Sequence, residues 1–123
     1  AWWMAVPPGL IITAILVVNN LRDLENDLKG GKHTLAVRLG EQGTKIEYFA
    51  CMLGAYLFLL LAVWLQVLPR FALVALGSIP LGIEAAYIVR TKTGRSLNAA
   101  LSITGQTALL FSVLFWVGLA LAR

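Results

Sequence analysis

The sequence SLNAALSITGQTALLFSVLFWVGLALA, residues 96–122, decides the fold because it contains no charged side chain. A helix that crosses a bilayer needs about 20 apolar residues, so this stretch is long enough to span a membrane. Residues 1–21 and 48–69 are also uncharged, and Glu84 is the only charged residue in 71–89. This pattern predicts an all-α, polytopic transmembrane helix bundle. We expect four membrane helices, near 2–21, 47–67, 71–90 and 99–121.

The composition excludes a soluble globular domain. Hydrophobic residues make up 59% and charged residues 13% of the chain, whereas soluble chains carry about 25% charged residues. A chain of 123 residues cannot bury so much apolar surface, because small folds bury the smallest fraction of their area. The lipid bilayer is therefore the expected partner. We expect no nucleic-acid binding, because the net charge of +4 is explained by membrane topology.

The basic residues predict that topology. Eight of the ten Lys and Arg residues follow the first or the third predicted helix. Because basic residues gather on the cytoplasmic side of membrane proteins, the polar segment 19–45 should be cytoplasmic. Trp2, Trp3, Trp64 and Trp116 fall near the opposite helix ends, where Trp prefers the membrane interface. The sequence thus indicates an integral protein of a bacterial (or organellar) plasma or inner membrane.

The polar segment contains a regular series of oxygen ligands. Asn19, Asp23 and Asp27 are four residues apart, so on a helix they form one stripe on one face. Two carboxylates and an amide carbonyl are ligands that Mg²⁺ prefers, with water and substrate phosphate completing its shell. The alternative is a solvated helix face whose acids pair with bases four residues away. The position at a membrane helix end favours function, because ionisable groups near a bundle interior tend to be functional.

Basic residues interleave these acids, and such a mixture suits a diphosphate. The four bases that we consider are Arg22, Lys29, Lys32 and Arg38. Gly30 and Gly31 should end the helix and turn the chain, which would bring Lys32, and also Arg38, toward the stripe. Residues 34–39 predict a short amphipathic helix that Gly40 closes.

NNLRDLENDLKGGKHTLAVRLG, residues 19–40, resembles the second aspartate-rich motif of the UbiA superfamily of intramembrane aromatic prenyltransferases. Within that superfamily it is most similar to the 1,4-dihydroxy-2-naphthoate polyprenyltransferase branch. The last helix, with Thr104, Gly105 and Gln106 near its start, resembles the final helix of the family. The resemblance extends over residues 1–123. The matching motif positions are Asn19, Asn20, Arg22, Asp23, Asp27, Gly31, Lys32 and residues 34–40.

This resemblance implies a fold of nine membrane helices around a central cavity, in which residues 1–123 are the C-terminal part of a single domain. The N-terminal helices of the same enzyme, with the first aspartate-rich motif, would then be a partner, and the chain alone is expected to be inactive. Such an enzyme transfers a polyprenyl group from polyprenyl diphosphate to 1,4-dihydroxy-2-naphthoate with decarboxylation. The implied pathway is menaquinone or phylloquinone biosynthesis, and another aromatic acceptor is the alternative.

The resemblance also implies roles for the polar residues. Asp23 and Asp27 would be catalytic and, with Asn19, would bind the Mg²⁺ that bridges to the prenyl diphosphate. The four bases named above would neutralise the diphosphate, with Lys32 and Arg38 the stronger candidates.

Three further residues are weaker candidates for a cavity, namely Glu84, Tyr87 and Gln106. Glu84 lies about 9 Å from the predicted cytoplasmic helix end, where it would orient the aromatic acceptor or instead reach toward the interface. Tyr87 is alternatively an interface anchor. Gln106, with Asn98 and Thr104, makes the start of the last helix polar, which also suits hydrogen bonds between helices.

Two other classes of protein remain as alternatives. A non-catalytic four-helix membrane subunit would need no diphosphate site. A CDP-alcohol phosphotransferase also uses aspartates at a membrane helix end, but its Gly and Ala-Arg spacing around the acids is not present here.

Overall fold

The computed structural model describes residues 2–122 and the side chains of residues 4–122. Helices joined by short loops make up this part of the chain, and it contains no strand. The order is a 3-10 turn Trp2–Ala5, α1 Val6–Arg22, α2 Leu24–Lys29, α3 Leu35–Trp64, a 3-10 helix Arg70–Ser78, α4 Ile79–Thr91, a 3-10 turn Gly94–Leu97 and α5 Asn98–Leu121. The predicted all-α helix bundle is confirmed.

Three helical segments are long and apolar enough to cross a membrane, by length and composition. They are Leu35–Trp64, Arg70–Thr91 and Gly94–Leu121. The first predicted span corresponds to α1, a shorter apolar helix of 17 residues. Its buried residues include Ile11, Ala14, Val18 and Leu21, a spacing of three and four that places them on one helix face.

The second predicted span, 47–67, lies mostly within α3, a longer helix that begins at Leu35 and ends at Trp64. The Thr34 hydroxyl accepts a hydrogen bond from the Val37 N–H at 3.2 Å, which caps the helix start. Gly40, predicted to close a short helix, has φ 75° and instead kinks a helix that resumes directly. The Thr44 hydroxyl donates to the Gly40 carbonyl at 2.7 Å and so satisfies a carbonyl at the kink.

The third predicted span is not one continuous α-helix. Arg70–Ser78 has 3-10 geometry, and the α-helix begins at Ile79 with Pro80 in its first turn. Proline lacks an N–H and clashes with the carbonyl four residues earlier, but it fits the first turn of an α-helix. Pro80 therefore marks the change of helix type.

Small residues bring the helices close together. α1 packs against α3 and α5, and the 3-10 helix and α4 both pack against α5. The fully buried residues include Ala14, Ala55, Ala72 and Ala85, as in membrane bundles whose small side chains let backbones approach. One close approach is at Gly118, where an added Cβ would clash with the Phe71 carbonyl group. Large side chains such as Leu53 and Leu109 are instead exposed on the outside, where a bilayer would cover them.

The bundle has two chemically different ends. We define the polar end as residues 19–45 together with residues 90–98, because the Arg22 guanidinium contacts Asn98 and Lys45 contacts the Arg90 carbonyl. The helix ends that the sequence placed on one membrane side therefore meet in space. Trp64 ends α3 away from these residues. The side chains of Trp2 and Trp3, and all of Arg123, lie outside the described residues.

Candidate functional site

The stripe of Asn19, Asp23 and Asp27, here called the acidic ridge, lies at the polar end. A turn at Asp23 separates α1 from α2. The helical register nevertheless continues through this turn, because the Asp23 N–H donates to the Asn19 carbonyl at 3.2 Å and the Asp27 N–H to the Asp23 carbonyl at 2.8 Å. The three residues therefore keep the spacing that the sequence predicts.

The two carboxylates of the ridge have different surroundings. The Asp23 side chain is 40% exposed, whereas that of Asp27 is 12% exposed. Asp23 is therefore open to a ligand, while Asp27 is largely withdrawn from water. Burying a charge is costly unless it is paired, and each carboxylate has a cation close by.

The cation beside Asp23 is Arg22. Its Nε donates to Asp23 Oδ1 at 3.0 Å and its Nη2 to Asn19 Oδ1 at 2.6 Å. Its Nη1 donates to Asn98 Oδ1 of α5 at 3.1 Å. The hydrogen bond with Asp23 raises the pKa of Arg22 above its ordinary value, so the guanidinium stays charged. Arg22, predicted as a diphosphate ligand, thus links two ridge residues to the start of α5.

The cation beside Asp27 is Lys32, whose Nζ lies 3.7 Å from Asp27 Oδ1. Gly31 allows this contact, because its φ of 73° reverses the chain after α2. The Lys32 N–H donates to the Asp27 carbonyl at 3.0 Å, which closes the helix end. The Lys32 side chain is 71% exposed and can approach an anion while it stays near the ridge. The predicted return of Lys32 toward the stripe is therefore observed.

The other two predicted diphosphate ligands lie apart from the acidic ridge. Lys29 pairs with Glu25 within α2, with 3.3 Å between Nζ and Oε1, and both side chains are more than 70% exposed. Arg38 is exposed on the first turns of α3. In the described part of the chain it forms no ion pair with Asp23 or Asp27. Their binding to diphosphate stays a prediction.

The three cavity candidates are exposed on the outside of the four helices. Glu84 is exposed on α4, and Tyr87 is 64% exposed. Gln106 is exposed on α5, where its amide donates to the Ser102 hydroxyl of the same helix at 3.4 Å. The structure does not bring these residues together with the acidic ridge, and their place in a cavity stays a prediction.

Two concave surfaces accompany the site. A hollow of about 490 Å³ at the polar end lies between α2 and the loop before α5, and both Arg22 and Arg95 line it. An apolar groove of about 370 Å³ lies between α3 and α4, with Met52, Tyr56 and Gly82 among its lining residues. The polar end therefore has an ionic concavity, and the membrane-embedded part has an apolar one.

Sequence reasoning missed two polar contacts between helices. The first is the contact of Asn98 with Arg22, although the polar start of α5 did predict hydrogen bonding to other helices. The second is Lys45, a buried lysine that donates to the Arg90 carbonyl at 3.2 Å and pairs with Glu41 at 3.3 Å. No local signal in the sequence indicated its burial against the end of α4.

The UbiA prenyltransferase family model matches residues 1–106 of the chain. The 1,4-dihydroxy-2-naphthoate octaprenyltransferase of Escherichia coli (strain K12) is 36% identical over 117 residues, which cover 94% of this chain. The protein of the same description from Mycobacterium leprae is 34% identical over 120 residues, or 97% of the chain. That from Bacillus subtilis (strain 168) is 28% identical, also over 97%.

The chain spans about two fifths of the length of these relatives, since the matched regions cover 38%, 40% and 39% of them. No solved structure matches the chain.

Proposed function

The chain belongs to the UbiA prenyltransferase family, and we propose on that basis that the full-length protein transfers a polyprenyl group to 1,4-dihydroxy-2-naphthoate. The donor in this proposal is a polyprenyl diphosphate. The acceptor follows the printed descriptions of the relatives. The main structural support is the acidic ridge, which lies with adjacent cations at the polar end of an apolar helix bundle.

The charge distribution suits an amphiphilic donor that has a diphosphate head and an isoprenoid tail. The head would bind at the polar end, where Lys32 is exposed and close to Asp27. The tail would lie along apolar helices such as those that line the groove between α3 and α4. One donor molecule can thus contact both the polar end and the apolar groove, because its diphosphate head and isoprenoid tail are joined end to end.

The ridge residues fit Mg²⁺ as part of a coordination shell. They offer hard oxygen donors, which Mg²⁺ prefers, and this ion usually takes only one or two carboxylates, with waters and substrate phosphates. The described residues contain no group of three or more His, Cys, Asp and Glu side chains that could hold a metal, so phosphate oxygens or other ligands would complete the shell. Asp23 and Asp27, with Asn19, would hold the ion. Bound Mg²⁺ would supply charge stabilisation for the departing diphosphate.

The residues of this chain then have separate tasks. Asp23 and Asp27 place negative charge at the polar end, where they would hold the ion beside the diphosphate. The Lys32 ammonium neutralises part of the diphosphate charge directly. The apolar helices exclude water from the reacting carbon, so that an allylic cation is not hydrolysed.

The proposed reaction breaks one bond to the donor and one within the acceptor. The allylic C–O bond breaks, and diphosphate leaves with the electron pair. The ring carbon that bears the carboxylate supplies the electrons of the new C–C bond, and the carboxylate then leaves as carbon dioxide. The products are the prenylated naphthalenediol, diphosphate and carbon dioxide.

The test is a product analysis with the purified full-length protein in lipid vesicles. Octaprenyl diphosphate and a shorter prenyl diphosphate are each offered with 1,4-dihydroxy-2-naphthoate or with 4-hydroxybenzoate, with Mg²⁺ or with excess EDTA. We expect a prenylated, decarboxylated naphthalenediol by mass spectrometry, and no product in EDTA. Prenylated benzoate alone would assign a different aromatic acceptor. The absence of product with every acceptor would overturn the proposed activity, and product formation in EDTA would overturn the role of the metal.

A further inference from the structure

The contact between Arg22 and Asn98 joins the acidic ridge to a different membrane helix. Asn98 is the first residue of α5 and lies 76 positions after Arg22. It is the one described residue outside the motif segment that contacts the Arg22 side chain through a hydrogen bond. From this geometry we infer that Asn98 is a positioning residue, which holds Arg22 and through it the Asp23 carboxylate. This inference rests on the proposed function.

The hydrogen-bonding capacity of Arg22 supports this role. A guanidinium has five N–H donors in a fixed planar arrangement. Its Nε and Nη2 both reach the Asp23 carboxylate, at 3.0 and 3.4 Å. Because Nη1 is held by Asn98 at 3.1 Å, the plane of the guanidinium cannot rotate freely. The orientation of the Asp23 carboxylate therefore depends on a residue of α5.

The location of Asp23 explains why it needs such a support. Asp23 has non-helical dihedral angles, φ −91° and ψ 4°, at the turn between α1 and α2. Its side chain is 40% exposed, so neither regular helix packing nor burial fixes its rotamer. Asp27, by contrast, is 12% exposed and is confined by its surroundings. Asn98 supplies at Asp23 the constraint that burial supplies at Asp27.

The Asn98 amide does not contact the ridge directly, so it is not a catalytic residue. Its effect should pass through Arg22, and loss of Arg22 should make Asn98 unimportant. This dependence separates a positioning role from a general contribution of Asn98 to the start of α5, because the latter would persist without Arg22. Residues that act through one shared group give non-additive effects in double-mutant cycles.

The experiment measures binding of Mg²⁺ with inorganic pyrophosphate to the full-length protein by calorimetry, alongside the KM for octaprenyl diphosphate. We compare wild type, Asn98→Ala, Arg22→Ala and the double variant. Because Asn98 acts only through Arg22, its loss should weaken pyrophosphate binding by about as much as the loss of one ordinary hydrogen bond, roughly 3- to 10-fold in Asn98→Ala. Asn98→Asp retains the oxygen acceptor and should restore binding. Gln42→Ala serves as the control, because Gln42 is an exposed amide of α3 at the same polar end and does not line the hollow that Arg22 lines.

The inference requires that Asn98→Ala has no further effect in the Arg22→Ala background. An equal effect in both backgrounds, or unchanged binding in Asn98→Ala, would overturn it while wild-type binding and product formation still support the proposed function. Failure of the wild-type protein to bind Mg²⁺ with pyrophosphate would overturn both proposals. If Asn98→Ala is not recovered folded, Asn98→Ser, which shortens the side chain but retains a polar group, takes its place in the same cycle.

Discussion

The polar end and the middle of the bundle satisfy their polar groups in different ways. In the middle, neutral hydroxyls pair across helices, with 2.8 Å between Tyr48 and Thr104 and 2.6 Å between Tyr56 and Ser78. At the polar end, charged side chains such as Asp23 and Lys32 are paired yet partly exposed. The Tyr48 and Thr104 hydroxyls are fully buried and closed to a ligand, whereas the end groups keep free oxygen and nitrogen positions. This difference indicates that the hydroxyl pairs in the middle stabilise the bundle and that the charged groups at the polar end are suited to binding.

The largest expected effect of a single substitution is at the acidic ridge. We predict that Asp23→Asn or Asp27→Asn in the full-length protein lowers prenyl transfer by at least about 100-fold, the usual scale for losing one group that stabilises transition-state charge. Both substitutions keep the side-chain shape, so membrane insertion and the elution of the purified protein on size exclusion should not change. The measurement is the initial rate of product formation at saturating Mg²⁺.

The control for this prediction is Glu25→Gln, which removes an acid from the same short helix. The Glu25 side chain is 83% exposed and pairs with Lys29, so its rate should stay within about 2-fold of wild type, because exposed ion pairs contribute little. Activity at the wild-type level in either aspartate variant would remove the role assigned to the ridge. An equal loss of activity in Glu25→Gln would mean that the aspartate substitutions act only by changing the net charge at the polar end.

The second prediction concerns the close contact between α5 and the 3-10 helix at Gly118. Gly118→Ala places a Cβ against the Phe71 carbonyl group, whereas at Gly105, on the same helix, an added Cβ meets no atom within 4 Å in the described part of the chain. Overpacking costs about 1–3 kcal/mol, so Gly118→Ala should lower the free energy of unfolding in detergent by about that amount. The same measurement on Gly105→Ala should show no loss. Equal stability of the two variants would mean that the 3-10 helix and α5 are not this close.

The third prediction compares Lys32, which pairs with a ridge residue, with Lys29, which does not. Lys32 lies 3.7 Å from Asp27, whereas Lys29 pairs with Glu25 on the solvent side of α2. If Lys32 contacts the diphosphate, Lys32→Ala should raise the KM for polyprenyl diphosphate about 10-fold, since hydrogen bonds to charged groups contribute about 1.5 kcal/mol or more. Lys29→Ala should change this KM less than about 2-fold. The reverse order would assign diphosphate binding to Lys29.

Local features of this molecule were predictable from the sequence, and contacts between distant segments were not. The register of Asn19, Asp23 and Asp27 depends on helix periodicity alone, and the reversal at Gly31 depends on one residue with positive φ. Both follow from neighbouring residues. The partner of Arg22 is 76 positions away, and nothing in residues 19–40 specifies it.

The first part of α3 is a second place where contacts between distant segments limit prediction from the sequence. Residues 41–46 are polar enough to predict a loop, but Lys45 is buried against the Arg90 carbonyl and belongs to a continuous helix. The end of α4 presents unpaired carbonyls that favour a cation. Lys45 can make this stabilising contact only once the helices are assembled. Tertiary contact therefore accounts for the burial of Lys45, whereas the helix start itself follows from the local cap at Thr34. The close approach of Phe71 to Gly118 is likewise a contact that periodicity does not reveal.

The smallest expected effect is in the middle of the bundle. Tyr48→Phe removes the hydroxyl that bonds Thr104 at 2.8 Å, and both residues are fully buried. Hydrogen bonds between membrane helices average about 0.6 kcal/mol, so the free energy of unfolding should fall by roughly that amount. Tyr56→Phe should cost less, because the Ser78 hydroxyl keeps its bond to the Ala75 carbonyl at 2.9 Å. Unfolding in graded denaturing detergent measures both free energies, and a double-mutant cycle of Tyr48→Phe and Thr104→Val isolates the contribution of that pair.

A larger loss of unfolding free energy in Tyr56→Phe than in Tyr48→Phe would contradict this order. If the folded variants transfer the prenyl group at the wild-type rate, these hydroxyls contribute to stability and not to activity. A loss of activity larger than the loss of folded protein would instead place these hydroxyls in the site.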